Sequence, residues 1–485
     1  MKTRIAAAIA AALAITPALA EDTVPLTAVN KANEAITAVI EAYGGVDRLN
    51  ALNSVARKSE FTTWATNQSL RPGPPWDEGS QVNFSAIDFE NETFVGKQKG
   101  STGGFNFHNV QVIKGEEGWN IDRRAETLTT QANPSFDNAS GPFIRVTAPL
   151  LAKQLQNRRH TSHWLGEVEF EGRQHDVVTL VMEVGPALSL YIDQDTHLIS
   201  RSERVLPPFG QIDYHFSDYQ DINGVPFANE FKLYANGQPN IYIDYAWTRV
   251  NEPITEYAAL PTDYETLEAV AQPTEVALTE VEEGVFLVGA GGTYAMFVEM
   301  DDHVVAVGAT AGIPDRIKKL RETVADKPIR HAVLTHHHND HLVGVKTWEA
   351  EGATLYTVKA NEEVVRSNAE DGDALDLAFV EDRYVFEGGQ RLELIDIGPT
   401  PHVEHLLVAW LPDQGILFEA DHFTNPANGV MPPAQPVTKA LAAAIEAKGL
   451  DVKKIVGAHS PRVATMADLR TSLEKAARLE MAASP

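Results

Sequence analysis

The chain of 485 residues contains no cysteine. This excludes disulfides, thiolate metal ligands, a cysteine nucleophile and a lipid-acceptor cysteine. Basic residues are also scarce: 40 Lys and Arg stand against 67 Asp and Glu, a formal charge of −27. So acidic a surface repels nucleic acid and anionic membrane at long range, and no nucleic-acid partner is expected. Small anionic substrates are not excluded, because bound cations invert the local field. Beyond the first twenty residues no run is long and apolar enough to span a bilayer. No serine sits in a Gly-x-Ser-x-Gly context, and there is no internal repeat or low-complexity tract.

The first twenty residues stand apart. Lys2 and Arg4 precede a short apolar run from Ile5 to Ile15, and Ala18-Leu19-Ala20 leads into Glu21-Asp22. This is the charged, apolar and small-residue order of a secretory leader, with cleavage expected after Ala20. Loss of Lys2 and Arg4 with the leader would take the charge from −27 to −29. The expected location is periplasmic or secreted.

Three further segments are predicted. Residues 21–250 form a β-rich domain, 251–275 a linker with Pro253, Pro261 and Pro273, and 276–485 a second domain. In the first, Val29, Ala32, Ile36, Val39, Ile40 and Tyr43 recur at helical spacing, so one amphipathic helix and a turn are expected over residues 25–52. From about Val55, short β-rich runs alternate with turn residues such as Asn223-Gly224, which points to a mostly antiparallel sheet. After Val276 strands and helices intermix, as in a layered α+β domain. Gly289-Ala290-Gly291-Gly292 lies between two strand-like runs with no helix following, so it reads as a hairpin turn, not a phosphate loop.

The residues that carry chemistry are Thr335-His336-His337-His338-Asn339-Asp340-His341, which follow the apolar run Ala332-Val333-Leu334. His336 and His338 lie two apart and face one side of an extended chain. Asp340 and His341 follow, where the chain can turn around a second position. Neutral imidazole and carboxylate suit zinc and similar divalent metals. One such cluster cannot fill two sites. Three later residues, His402, Asp421 and His459, each come after an apolar strand and are the further candidates. His405 competes with His402. His337, His405 and His422 flank these positions as supporting residues. His108, His160, His163, His175, His197 and His215 are scattered and read as surface or satisfied core residues.

The His-x-His-x-Asp-His motif at 336–341, with His402, Asp421 after Leu417-Phe418-Glu419-Ala420, and His459 after Val456-Gly457-Ala458, resembles the metallo-β-lactamase superfamily over residues 276–470. The resemblance implies an αββα sandwich holding two divalent metals: zinc first, with iron or manganese as the other candidates. His336, His338 and His402 would bind one metal, Asp340, His341 and His459 the other, and Asp421 would bridge them. Two such metals share and activate a water, and Asp340 is the expected acceptor of its proton. Relatives that keep the bridging Asp are thioesterases, lactonases and phosphodiesterases, so Asp421 argues against a true β-lactamase. The implied reaction is attack of a metal-bridging hydroxide on an ester, lactone or thioester carbonyl. A mononuclear iron-dependent oxygenase shares most of the motif and stays open. Ala420 and Gly308 depart from the glycine and aspartate that relatives usually carry there.

Tyr43-Gly44-Gly45, Leu190-Tyr191-Ile192-Asp193 and Asn223-Gly224-Val225-Pro226-Phe227 resemble the curved sheet of periplasmic lipoprotein carriers. That implies either a cradle for an apolar or acylated small molecule or a packing domain that makes a homodimer.

Overall fold

A computed structural model describes residues 24–483 except 208–209, 272 and 325–326; the expected leader lies outside the described residues. Val24–Ala42 is helical, and its buried Ala32, Ile36, Val39, Ile40 and Tyr43 form one face against the first core. Where one helix and a turn were expected, a second short helix, Gly45–Asn50, follows.

Among the described residues, the N-terminal half builds one fourteen-stranded sheet. Six consecutive strands run from Ser54–Trp64 to Thr127–Thr130, and seven from Trp164–Phe170 to Gln238–Val250. The two runs join where Ser54–Trp64 pairs antiparallel with Gln238–Val250. Between them lie two helices that the sequence reading did not anticipate, Phe136–Arg145 and Ala148–Asn157. Gly141 and Pro142 look like helix breakers locally, whereas Pro149 sits in the first turn of its helix, where proline is favoured. The burial of Phe143, Ile144, Leu150, Leu151 and Leu155 against the sheet outweighs that propensity. The start of the expected linker packs on the other face of this sheet. Ile254 and Ala258 are buried there, and Glu265–Leu267 pairs parallel with the strand Thr127–Thr130.

The C-terminal half is an αββα sandwich. A seven-stranded sheet runs from Ala277–Glu282 to Leu377–Phe379, and a six-stranded sheet from Arg383–Phe386 to Ala464–Thr465. Their inner faces interdigitate through Leu287, Met296, Val298, Val307, Leu394 and Phe418. Helices Ile313–Arg321 and Val345–Ala350 cover one outer face, and Pro436–Ala447 and Met466–Ala483 the other. Strands buried on both sides read as continuous apolar runs, as in Val304–Val307 and Leu407–Leu411. The glycine-rich stretch is a hairpin. Ala290 pairs with Thr293, and Gly291 and Gly292 take φ of +60° and +81°, which a two-residue turn of this hand requires. No helix among the described residues is long and apolar enough to cross a membrane.

Candidate metal centre

The strand Ile329–Val333 ends at the mouth of the sandwich, and the chain beyond it carries His336, His338, Asp340 and His341. Asp421 follows the strand Ile416–Glu419, and His459 follows Lys454–Gly457. His402 sits in the loop before Leu407–Leu411. Strands of both sheets thus deliver their ends to one place. His336, His338, His402 and Asp421 form one group able to hold a metal ion, and Asp340, His341 and His459 a second; within each, the ligand atoms lie within 4.8 Å of one another.

Asp421 stands between the groups. Its Oδ2 lies 3.1 Å from Nε2 of His336, 2.9 Å from Nε2 of His341 and 3.3 Å from Nε2 of His402. Its Oδ1 lies 3.1 Å from Nε2 of His459. The residue takes φ +63°, a left-handed conformation that Asp tolerates better than most side chains and that aims the carboxylate inward. Burial would raise its pKa, but the imidazoles of His341, His336 and His402 outweigh that and hold it well below the usual carboxylate range.

In His338, His402 and His459 one ring nitrogen donates outward to a backbone carbonyl and the other faces the centre. Carbonyl oxygens only accept, so a nitrogen bonded to one carries the proton. Nε2 of His338 donates to the Ser69 carbonyl at 3.0 Å, and its buried Nδ1 has no partner. Nδ1 of His402 donates to the Gly103 carbonyl at 2.8 Å. Nδ1 of His459 lies 3.2 Å from the Gly292 carbonyl on the glycine hairpin. The buried Nε2 of His336 also lacks a hydrogen-bond partner. Burial, then the neighbouring imidazoles, hold His336 well below its ordinary value and take His338 to about 2, so both are neutral lone-pair donors at neutral pH. His459 differs. Burial opposes its charging, but Asp421, the Gly292 carbonyl and Asp340 lift it to about 9. A cation bound there would displace that proton. Orphaned, inward-facing nitrogens around a shared carboxylate fit a divalent metal pair.

The two groups differ in access. His336, His338 and His341 are fully buried, whereas the side chains of Asp340 and His459 are 52% and 37% exposed. Asp340 lies 3.5 Å from Nε2 of His341 through Oδ2, and its Oδ1 accepts from Gln68 Nε2 at 2.7 Å. The centre is therefore open on the Asp340–His459 side.

The flanking histidines lie outside both groups. Nε2 of His337 donates to the Ser69 carbonyl at 2.9 Å. His422 is buried and bridges the Ala420 carbonyl and the Thr400 hydroxyl, which also accepts from the backbone of His402. His405 turns away to a hydrogen bond between its Nδ1 and Oδ2 of Asp396 at 2.6 Å. The N-terminal histidines join no metal-binding group among the described residues.

Several supporting groups gave no sequence signal. The Ser69 and Gly103 carbonyls and Gln68 come from the N-terminal half, across the boundary between domains. Glu419 reads as part of an apolar strand, yet it is buried and its Oε2 accepts from the backbone N–H of His422 and Phe423. That holds the turn carrying Asp421. Burial pushes the Glu419 carboxyl up to about 8.

Residues 275–459 match the family described as the metallo-beta-lactamase superfamily. Among solved structures, the metallo-beta-lactamase FIM-1 from Pseudomonas aeruginosa in a mono-zinc form is 23% identical. The alignment covers 44% of this chain and 99% of that one, with a TM-score of 0.33. A metallo-beta-lactamase from Pontibacter korlensis is 21% identical over 42% of this chain and 99% of that one, with a TM-score of 0.33. One from Hirschia baltica is 19% identical over 42% and 98%, with a TM-score of 0.34. No curated protein matches the chain.

Proposed function

We propose, from the family match over residues 275–459 and the site within it, that this chain is an exported metal-dependent hydrolase acting on an ester, lactone or thioester of a small, apolar or acylated molecule. One observation carries the reading: two groups of metal-ligating side chains meet at the single carboxylate of Asp421. His336, His338 and His402 would hold one divalent ion, and Asp340, His341 and His459 the other, with Asp421 between them. Such a pair, most simply zinc, supplies Lewis acidity and a water activated at neutral pH.

The chain's own residues set the rest. His336, His338 and His341 are fully buried and Asp340 and His459 are exposed, so substrate enters past Asp340 and His459. Asp340 keeps Oδ2 toward the centre while Gln68 holds Oδ1, which leaves this carboxylate placed to take a proton on the open side. Support by carbonyls keeps the imidazoles of His338, His402 and His459 in one tautomer, which limits their reorganisation during turnover.

The test is hydrolysis by the zinc-loaded chain across aryl esters, lactones, a thioester, a phosphodiester and a β-lactam, with His338→Ala as control. Turnover of a carbonyl ester class that His338→Ala abolishes is the expected result. Phosphodiester or β-lactam turnover alone would overturn the substrate class. A single bound iron with oxygen consumption and no hydrolysis would overturn the reaction.

A further inference from the structure

The N-terminal sheet wraps a cavity of about 700 Å³, closed on one side by the helix Phe136–Arg145. Its walls are largely aromatic and aliphatic, with Phe61, Phe94, Phe143, Phe231 and Ile243 facing in. Three arginines, Arg57, Arg145 and Arg204, also line it. Arg57 is buried and held by neutral groups: the Ala228 carbonyl at 2.6 Å, the Thr248 hydroxyl at 3.0 Å and the Tyr245 ring 3.1 Å below its guanidinium. Arg145 and Arg204 stand side by side. A Cβ placed on Gly185 would lie 3.6 Å from Nη1 of one and 3.8 Å from Nη1 of the other. Tyr214 lies between them, hydrogen-bonded to Arg145 and with its ring 5.7 Å from the guanidinium of Arg204.

Among the described residues, none of the three arginines forms an ion pair, in a chain with 67 acidic against 40 basic residues. Burial and the neighbouring Arg204 both lower the Arg145 pKa. The buried Nε of Arg204 is a donor with no hydrogen-bond partner. Asp122 also lines the cavity, but its Oδ1 is committed to the backbone N–H of Arg124 and Ala125. Paired, partly desolvated guanidiniums without an anion are unfavourable, and an oxyanion between them would relieve the repulsion. The volume suits one small amphipathic molecule.

We propose that this cavity binds an amphipathic anion, a single alkyl or acyl chain ending in a carboxylate or phosphate. Arg145 and Arg204 take the oxyanion, and the aromatic walls take the chain. The site is separate from the metal centre and does not depend on the hydrolase reading.

The experiment is calorimetric titration of the full chain, metal-loaded and metal-stripped, with dodecanoate, dodecyl phosphate, dodecanol and dodecyltrimethylammonium below their aggregation concentrations. One anion per chain is expected, with equal affinity in both metal states. Charge-assisted bonds to two guanidiniums should make the alcohol roughly tenfold to a hundredfold weaker, and the cation weaker still. Arg145→Gln with Arg204→Gln should bring the anions down to the alcohol's affinity and leave the alcohol unchanged. Which anion binds more tightly identifies the head group. Equal binding of acid and alcohol by the unaltered chain would overturn the proposal without recourse to a variant. So would anion affinity that survives the double substitution, anion binding lost with the metal, or no anion binding.

Discussion

Replacing Gln68 with alanine removes the donor that holds Asp340. Gln68 Nε2 lies 2.7 Å from Asp340 Oδ1 and 2.6 Å from Asn339 Oδ1, so one amide fixes two neighbouring side chains of the motif. A hydrogen bond to a charged acceptor contributes about 1.5–3 kcal/mol when buried. The Asp340 side chain is 52% exposed, so water replaces part of the loss and about 1 kcal/mol is the better expectation. That corresponds to roughly fivefold weaker metal binding at the group formed by Asp340, His341 and His459. The other group should be unaffected, because none of its histidines is hydrogen-bonded to Gln68. Competition against a chelator of graded strength resolves the two binding steps. Gln68→Glu, which sets carboxylate against carboxylate, should cost more than Gln68→Ala. Equal weakening of both steps, or no change in either, would refute the idea that the N-terminal half tunes one metal position.

Other consequences follow from the same contacts. A Cβ at Gly104 would lie 2.5 Å from Val437 Cγ1 and 2.9 Å from Pro401 Cβ, so Gly104→Val should push the 103–104 turn away from His402. Metal titration should then show weakening at the His336, His338 and His402 group first. Glu419→Gln preserves a neutral acceptor for the His422 and Phe423 N–H groups and should keep metal content near normal, whereas Glu419→Ala should lower it; equal content in the two variants would dismiss the positioning role. His402→Ala should abolish binding at the first position while His405→Ala leaves stoichiometry unchanged, read by elemental analysis. The metal-free chain should lose stability as pH falls. Burial holds His336 well below its ordinary value, His338 at about 2 and His422 at about 4, so the unfolded chain takes up protons first as pH drops through about 6.5. His459, lifted to about 9, and Glu419, pushed up to about 8, work in the opposite direction, but burial also lowers His337, His108, His215 and His331, so the depressed histidines outnumber them. A higher denaturation midpoint at pH 5.5 than at pH 7.5 would contradict this.

The motif at 336–341 was legible because its chemistry is local. Alternation in an extended chain sets the spacing of His336 and His338, and an apolar run announces the strand before it. His402, Asp421 and His459 were legible one step less directly, through the apolar strands that precede them. A layered mixture of strands and helices was legible from the alternation after Val276, and the αββα sandwich only through the family resemblance; in the structure, runs such as Val304–Val307 and Leu407–Leu411 are buried on both faces. What only the tertiary structure decided has a common physical cause. The groups that orient the imidazoles are backbone carbonyls of Ser69, Gly103 and Gly292, and every residue type carries the same carbonyl, so sequence cannot mark them. Gln68 meets Asp340 across 272 residues of chain, and Arg145 meets Arg204 only because a helix closes over the sheet. His402 and His405 are chemically alike three residues apart. The turn of one loop alone sends the first toward Asp421 and the second to Asp396.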